Sequence, residues 1–150
     1  MTLKRGEIYY ITFPYTFDPK YPNGKGKFVL VLQEGEYFSR FDTVEILLVT
    51  SNARCNNQRY VTNVEIPRGE TKLNKRSWVV CSQPYPVAKS LFEANDAWCA
   101  GTLKPDTLDD IDAALYEGLC MGLQHELAQS ECDDCEDCKE TENTSSVVNQ

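Results

Sequence analysis

The sequence predicts a mainly β fold of the α+β class, in which short strands form a small barrel or sandwich and one helix follows them. Three observations predict it. Residues 28–32 and 44–49 are runs rich in Val, Ile and Leu, as in buried strands. Further short apolar runs alternate with turn-forming residues. A single apolar stripe at helical spacing comes after Pro105.

Several short segments have the composition of strands. Residues 7–13 are β-branched and aromatic, which is typical of a strand. Pro84 and Pro86 exclude a central strand through residues 84–86, because proline has no N–H to donate to a sheet. We interpret residues 83–86 as the close of the strand before them. The predicted strands are residues 7–13, 28–32, 44–49, 64–66, 78–81 and 98–103.

Pro105 begins the predicted helix, because proline is favoured at the first helical position. Asp106, Asp109 and Asp110 complement the positive end of the helix dipole. We expect the helix to end between residues 122 and 129 and to pack on the barrel through one apolar stripe. The residues of that stripe recur at spacings of three and four positions: Leu108, Ile111, Leu115 and Leu119.

The length of 150 residues predicts a single folded domain, which we place at residues 1–130. Residues 131–150 hold seven acidic residues, one lysine and no aromatic residue. Such a composition buries too little apolar surface to offset the entropy lost on folding. We therefore predict that residues 131–150 form a disordered acidic tail.

The net charge of −8 argues against tight, non-specific binding to nucleic acid. The charge is uneven, however, because residues 20–76 hold ten basic and six acidic residues. A phosphate-binding face built from that region is compatible with the composition. No apolar run approaches the roughly 20 residues of a membrane span, and the first residues lack the apolar region of a signal peptide. We expect a cytoplasmic protein.

Cys132, Cys135 and Cys138 have the spacing of metal-binding thiolates. A tetrahedral site needs a fourth ligand, for which Cys120 or His125 would have to fold back. The acidic surroundings would raise the pKa of each thiol and disfavour the thiolate. Two interpretations are open: a metal site, or cysteines without a ligand. We favour cysteines without a ligand and therefore expect no metal and no cofactor. His125 is the only histidine, which excludes catalysis by a histidine pair.

Lys27 precedes one of the two most apolar predicted strands, and Thr50 follows the other. If these strands are neighbours in the sheet, the two side chains meet at one rim. Lysine offers a point charge and threonine an orientable hydroxyl, and the pair suits a phosphate group. The alternative is a loop lysine and a strand-end threonine that bind nothing.

Two long loops, residues 14–26 and 52–62, flank this pair in the sequence. Aromatic residues in the first loop either stack on unpaired bases or pack against the barrel. Arginines in the second either contact phosphates, whose geometry suits a guanidinium, or are simply solvated. The residues concerned are Tyr15, Phe17 and Tyr21 in the first loop, and Arg54 and Arg59 in the second.

Short motifs follow one another in a distinctive order along residues 4–123. They are Lys-Arg-Gly-Glu-Ile-Tyr at 4–9, Lys-Phe-Val-Leu-Val-Leu-Gln at 27–33, Val-Thr-Ser at 49–51, Val-Glu-Ile-Pro at 64–67, Leu-Asn-Lys-Arg-Ser-Trp-Val-Val at 73–80 and Gly-Thr-Leu at 101–103. Their order and spacing together resemble the MazF/PemK family of toxin endoribonucleases. The resemblance implies a small SH3-like β-barrel with a C-terminal α-helix.

The resemblance also implies a metal-independent endoribonuclease of a toxin–antitoxin system that cleaves single-stranded RNA. Thr50 matches the family's strand-end threonine, and Ser51 matches the serine after it, a supporting donor. Lys27 falls where the family has an arginine, so the charge is kept but the bidentate hydrogen bonding is lost. We predict that Lys27, Thr50 and Ser51 are catalytic. The predicted RNA-binding residues are Lys25, Tyr21, Arg54 and Arg59.

The partners implied by the resemblance are single-stranded RNA, a second copy of the chain in a homodimer, and a cognate antitoxin whose acidic segment occupies the RNA groove. Two alternatives are open. In one, Lys27 marks a degenerate active site, and the protein is a non-catalytic module that binds RNA or a protein. In the other, the acidic residues 131–150 occupy the basic groove of their own chain.

Deletion of residues 131–150 is expected to leave the fold intact and to strengthen RNA binding severalfold, because seven acidic residues and one lysine are removed. The effect should be largest at low salt, where charge repulsion is least screened. Fluorescence anisotropy with a labelled single-stranded RNA at two salt concentrations measures it. An unchanged Kd at low salt would contradict the prediction, as would loss of the folded state.

Overall fold

Seven β-strands and one α-helix are present in the part of the chain that the computed structural model describes, residues 2–16, 18–56 and 58–121. The strands are β1 (Glu7–Phe13), β2 (Lys25–Val31), β3 (Thr43–Thr50), β4 (Asn63–Glu65), β5 (Trp78–Val80), β6 (Tyr85–Ala88) and β7 (Trp98–Thr102). The helix, α1, is Pro105–Gly118. The predicted tail, Phe17, His125 and the cysteines at positions 132, 135 and 138 lie outside the described residues.

All strand pairs in the sheet are antiparallel, in the order β4-β5-β3-β2-β1-β7, with β6 paired to β3. The segment after β4 also pairs with β7. Thr71 forms an isolated bridge with Gly101, and the Lys72 N–H donates to the Ala100 carbonyl at 2.7 Å. These contacts bring the two ends of the sheet together in a barrel-like arrangement. The predicted mainly β fold with a C-terminal helix is confirmed.

Both faces of the sheet are buried around residues 28–32, which explains why this part of the sequence is an unbroken apolar run. Successive side chains alternate between the faces, so Leu30 packs in one core and Val29 in the other. The helix-side core contains Ile111 of α1 and Ile8, Leu30, Leu32, Leu47, Val49, Ile66, Val79, Cys81, Ala100 and Leu103. The second core contains Tyr9, Ile11, Phe13, Val29, Val31, Val44, Ile46, Val87 and Phe92.

The predicted strands all occur, and β1 has the predicted bounds. β2 begins at Lys25, three residues before the predicted start, because the glycine-containing segment still pairs with β1, Phe13 opposite Lys25. The interpretation of residues 83–86 as a strand end was wrong, since Tyr85–Ala88 forms β6. Proline is tolerated there because β6 pairs only with β3, so one of its edges needs no donor.

The helix begins at Pro105 as predicted but ends at Gly118, so the predicted end between residues 122 and 129 was wrong. Cys120 has a left-handed backbone with φ of 60°. Its N–H donates to the Glu117 carbonyl at 3.0 Å, and the Met121 N–H donates to the Tyr116 carbonyl at 3.1 Å. This is the Schellman pattern, which ends a helix and is usually marked by glycine. Because position 120 is a cysteine, the sequence contained no glycine to indicate that the helix ends there.

α1 has 14 residues, and no helix in the described ranges combines the length and the apolar composition needed to cross a bilayer.

The substitution Cys120→Gly is expected to raise the free energy of unfolding by about 0.5–1 kcal/mol, because glycine adopts positive φ without a Cβ clash. The Cys120 side chain is exposed, so its removal costs little packing. Urea denaturation of the wild type and the variant measures the change. Cys120→Ala is the matched control, because it removes the thiol and keeps the strain. A glycine variant no more stable than the alanine variant would disprove this account of the helix end.

Candidate nucleic-acid interface

The pairing of β2 with β3 places the two principal candidate residues across from each other. Phe28 pairs with Val49, and continuing that register by one residue sets Lys27 opposite Thr50. Side chains alternate along a strand, so Lys27 and Thr50 project from one face of the sheet and Phe28 and Val49 from the other. The strands extend past their cores here, which leaves this rim open to a ligand.

A groove of about 450 Å³ lies at this rim, where residues from both faces of the sheet line it. Lys27, Thr50 and Ser51 all line the groove, so the structure brings the three predicted catalytic residues together. Lys75 adds a second cation, and no carboxylate is among the lining residues. The other lining residues are Tyr10, Gly26, Phe28, Val49, Asn52, Leu73, Asn74 and Ser77. The groove is therefore suited to an anion.

Lys27 is half-buried, and its charge is poorly compensated. Burial lowers the pKa of Lys27, and the neighbouring Lys25 lowers the pKa further. Tyr21 and Cys55 act in the opposite direction, but they do not reverse the shift. An anion bound beside the ammonium group would relieve both costs, because it would replace lost solvation and offset the repulsion from Lys25.

Tyr21 and Lys25 form a unit next to Lys27. The Lys25 ammonium lies 4.9 Å from the centre of the Tyr21 ring, and its Nζ is 3.5 Å from the Tyr21 hydroxyl. Neither residue lines the groove itself, but both are close enough to alter the pKa of Lys27. They therefore form the outer border of the site on the side of the loop between β1 and β2.

Thr50 is held in place by the turn that follows β3. Its Oγ1 accepts a hydrogen bond from the Asn52 N–H at 3.2 Å, so the hydroxyl proton is directed away from that bond. The Asn52 side chain in turn accepts from the Arg54 N–H at 3.0 Å and caps the short 3₁₀ turn Ala53–Cys55. The Thr50 hydroxyl is thus an oriented donor at the end of a rigid strand.

Arg54 and Arg59 are not among the residues that line the groove. Arg54 is exposed, and the Arg59 guanidinium lies 5.8 Å from the Tyr60 ring centre. The loop that carries them is anchored to β4, because Asn63 Nδ2 donates to the Cys55 carbonyl at 2.8 Å. The two arginines flank the site on its second-loop side and would contact only a ligand that extends beyond the groove.

Sequence reasoning missed the contributions of Tyr10 and of the segment between β4 and β5. Tyr10 reaches the groove because Gly26 lies beneath it, and a Cβ at Gly26 would come within 1.8 Å of the Tyr10 hydroxyl oxygen. Leu73, Lys75 and Ser77 line this groove and also a second cavity of about 360 Å³. Arg68 and Arg76 line that second cavity together with Glu65, which forms an ion pair with Arg76.

Residues 2–16, 18–56 and 58–121 contain no group of three or more His, Cys, Asp or Glu side chains placed to hold a metal ion.

Solved structures with a similar fold include MazF toxins. MazF in a MazE–MazF crystal from Deinococcus radiodurans is 18% identical, with a TM-score of 0.61, over 81% of this chain and 100% of that chain. Mycobacterium tuberculosis toxin MazF-mt6 is 16% identical, with a TM-score of 0.58, over 78% and 99%. At such identity the likeness concerns the fold.

A third structure is an endoribonuclease in complex with its cognate antitoxin from a mycobacterial species. It is 18% identical, with a TM-score of 0.57, over 81% of this chain and 98% of that chain. A comparison with curated proteins found no match. The sequence model of the PemK-like, MazF-like toxins of type II toxin–antitoxin systems matches residues 4–119, and the chain belongs to that family. The resemblance inferred from the motifs is confirmed.

The substitution Lys27→Met is expected to stabilise the fold at neutral pH, because it removes a half-buried charge. The folded-state pKa of Lys27 is lower than its ordinary value of 10.5, so the unfolded state binds more protons between the two values. Wild-type stability therefore rises with pH across that interval, and the advantage of the variant shrinks. Urea denaturation from pH 7 to pH 10 measures it.

Lys20→Met is the matched control, because Lys20 is exposed in the same loop region. It should leave the stability and its pH dependence close to those of the wild type. A stability gain in Lys27→Met that stays constant up to pH 10 would show that methionine packing, rather than relief of a buried charge, is responsible.

Proposed function

We propose that this protein is a toxin endoribonuclease that cleaves single-stranded RNA without a metal ion. The observation that carries the proposal is the position of Lys27 opposite Thr50, in a groove that is lined by a second lysine and by no carboxylate. Membership of the PemK-like, MazF-like toxin family supports it. A polyanion is the ligand that such a groove favours.

In the proposed reaction, the 2′-oxygen of a ribose attacks the adjacent phosphorus, and the bond from phosphorus to the 5′-oxygen breaks. The products are a 2′,3′-cyclic phosphate and a 5′-hydroxyl. The 2′-hydroxyl proton passes to solvent water, and the leaving 5′-oxygen takes a proton from water. The role of the protein is to stabilise the dianionic transition state, which is usually the largest contribution to catalysis in such sites.

Lys27 supplies the positive charge for this stabilisation. Its partial burial strengthens the attraction, because fewer water molecules screen it. The Thr50 hydroxyl donates a hydrogen bond to a phosphate oxygen, and its own acceptor role toward Asn52 fixes its direction. Ser51, which lines the same groove, serves as a supporting donor. Lysine is a point charge, so it makes fewer directed bonds to the phosphate than the arginine typical of the family.

The proposed RNA-binding residues surround these three. Lys25 and Tyr21 present a cation and an aromatic ring in contact with each other, which suits a phosphate followed by an unpaired base. Arg54 and Arg59, on the loop that follows β3, would contact phosphates outside the groove. Single-stranded RNA is the proposed substrate because stacking on side chains requires bases that are not paired.

The proposed partners are a cognate antitoxin and a second copy of the chain. Support for an antitoxin comes from the relatives of similar fold that were crystallised as MazE–MazF or with a cognate antitoxin. The proposed location is the cytoplasm. A second candidate function is a non-catalytic RNA- or protein-binding module, and the observation that favours it is lysine at position 27 in place of arginine.

Single-turnover cleavage of a fluorescent single-stranded RNA in excess EDTA tests the proposal. Lys27→Arg is expected to raise the rate about ten- to a hundredfold, because a guanidinium restores two parallel hydrogen bonds to phosphate. Lys27→Ala and Thr50→Ala are expected to lower the rate at least as much, by removing a transition-state contact. Lys104→Ala, at an exposed position before α1, is the control and should cleave at the wild-type rate.

Thermal melts of all variants separate loss of chemistry from loss of folding. Absence of cleavage by both the wild type and Lys27→Arg, with RNA binding intact, would replace the proposal with the non-catalytic module. Cleavage that disappears in EDTA and returns with added metal would contradict metal independence. Full activity of Lys27→Ala would remove Lys27 from the site.

A further inference from the structure

We propose that Tyr10, Phe28 and Trp98 form an aromatic platform on which an unpaired RNA base stacks next to the cleavage groove. The three side chains are called the aromatic platform below. The proposal rests on the proposed function, because it names the part of the substrate that this surface would hold. It adds a binding subsite that the groove residues themselves do not supply.

The platform is one row of side chains across three neighbouring strands. Tyr10 of β1 pairs with Phe28 of β2 on one side and with Trp98 of β7 on the other. Residues directly opposite in antiparallel strands lie on the same face and contact each other. Strand pairing alone therefore gathers three aromatic rings at one place, on the face of the sheet that carries the helix-side core.

The rings contact one another in a defined arrangement. Tyr10 and Trp98 are nearly parallel, with centroids 6.2 Å apart and an angle of 24°. Phe28 meets both edge-on, at 5.3 Å from Tyr10 and 5.5 Å from Trp98. The ring of Phe28 therefore braces the other two, which limits the rotamers of Trp98. A pre-ordered ring loses little conformational entropy when a ligand stacks on it.

Trp98 is 44% exposed, although tryptophan is normally largely buried. The other tryptophan, Trp78, is 1% exposed. Gly26 has a part in this arrangement, since any larger residue there would displace the Tyr10 ring from its place over β2. The result is a partly exposed indole in contact with two other rings, which suits stacking of a base.

The platform adjoins the groove directly. Tyr10 and Phe28 line the groove together with Lys27 and Thr50, although the last two project from the other face of the sheet. A nucleic-acid strand that crosses the rim at these strand ends would place its phosphate by the cations and an adjacent base on the platform. The groove lining contains two lysines and no carboxylate. This charge favours a polyanion over an apolar partner as the occupant.

The test uses the full-length protein and a ten-nucleotide single-stranded RNA in which every 2′-oxygen is methylated, so that it cannot be cleaved. Trp98→Ala is expected to weaken its binding about 5- to 150-fold, the range for one lost base stack. Trp98→Phe should retain binding within about threefold of the wild type, because it keeps an aromatic face. RNA should quench the tryptophan fluorescence of the wild type but not of Trp98→Phe, which retains only the buried Trp78.

Two controls make the measurement specific. Tyr37→Ala removes another exposed aromatic residue, 65% exposed and in contact with Phe38 and Phe41, and should leave the affinity unchanged. An abasic oligonucleotide of equal length has the phosphates but no bases. It should bind the wild type and Trp98→Ala equally. Thermal melts check that the variants are folded.

Equal affinity of wild type and Trp98→Ala for the methylated RNA would overturn the proposal, as would an equal loss for the abasic chain. A fluorescence change of Trp98 that follows protein concentration rather than RNA would show that the platform is a protein interface and would also overturn it. Quenching by RNA without cleavage of unmodified RNA would refute only the proposed catalysis. Cleavage by the wild type without a role for Trp98 would refute only the platform.

Discussion

The antiparallel pairing of β2 with β3 is the interaction on which the rest of the structure depends. It joins the middle of the sheet, supplies residues to both cores and, through the register of Phe28 with Val49, sets Lys27 opposite Thr50. A slip of one residue would exchange the side chains between the two faces. Both faces are buried by apolar side chains, so packing in the two cores fixes the register of β2 with β3. The same register sets Lys27 opposite Thr50.

Under the proposed function, Lys27 combines a cost in stability with a role in binding. A half-buried ammonium beside Lys25 is unfavourable in the free protein, as the lowered pKa indicates. The same features favour binding of a phosphate beside Lys27, since an anion would compensate for the solvation that the ammonium group lost on burial. Sites held for binding are often less stable than a purely structural solution would be. The groove is consistent with that pattern, because its cations have no carboxylate among the residues that line it.

The surroundings of the site come from parts of the chain that are distant in sequence. Lys75 and Ser77 reach the groove from the segment between β4 and β5, while Thr71 in that segment bridges to Gly101 of β7. Pairing of β7 with β1 places Trp98 on Tyr10. The rim around the groove therefore combines lysines and aromatic residues that come from separate parts of the chain.

The sequence by itself determined six of the seven described strands and the start of α1, because apolar runs, turn residues and Pro105 are local signals. It also predicted Thr50 at a strand end, which is where β3 stops. Lys27, predicted to lie at a junction of loop and strand, lies within β2 instead. The end of α1 at Gly118 and the strand β6 were decided by hydrogen bonds that local preference does not reveal. Only the tertiary structure placed Tyr10, Lys75 and Trp98 around the groove, because strand register and sheet closure bring together residues that are far apart along the chain.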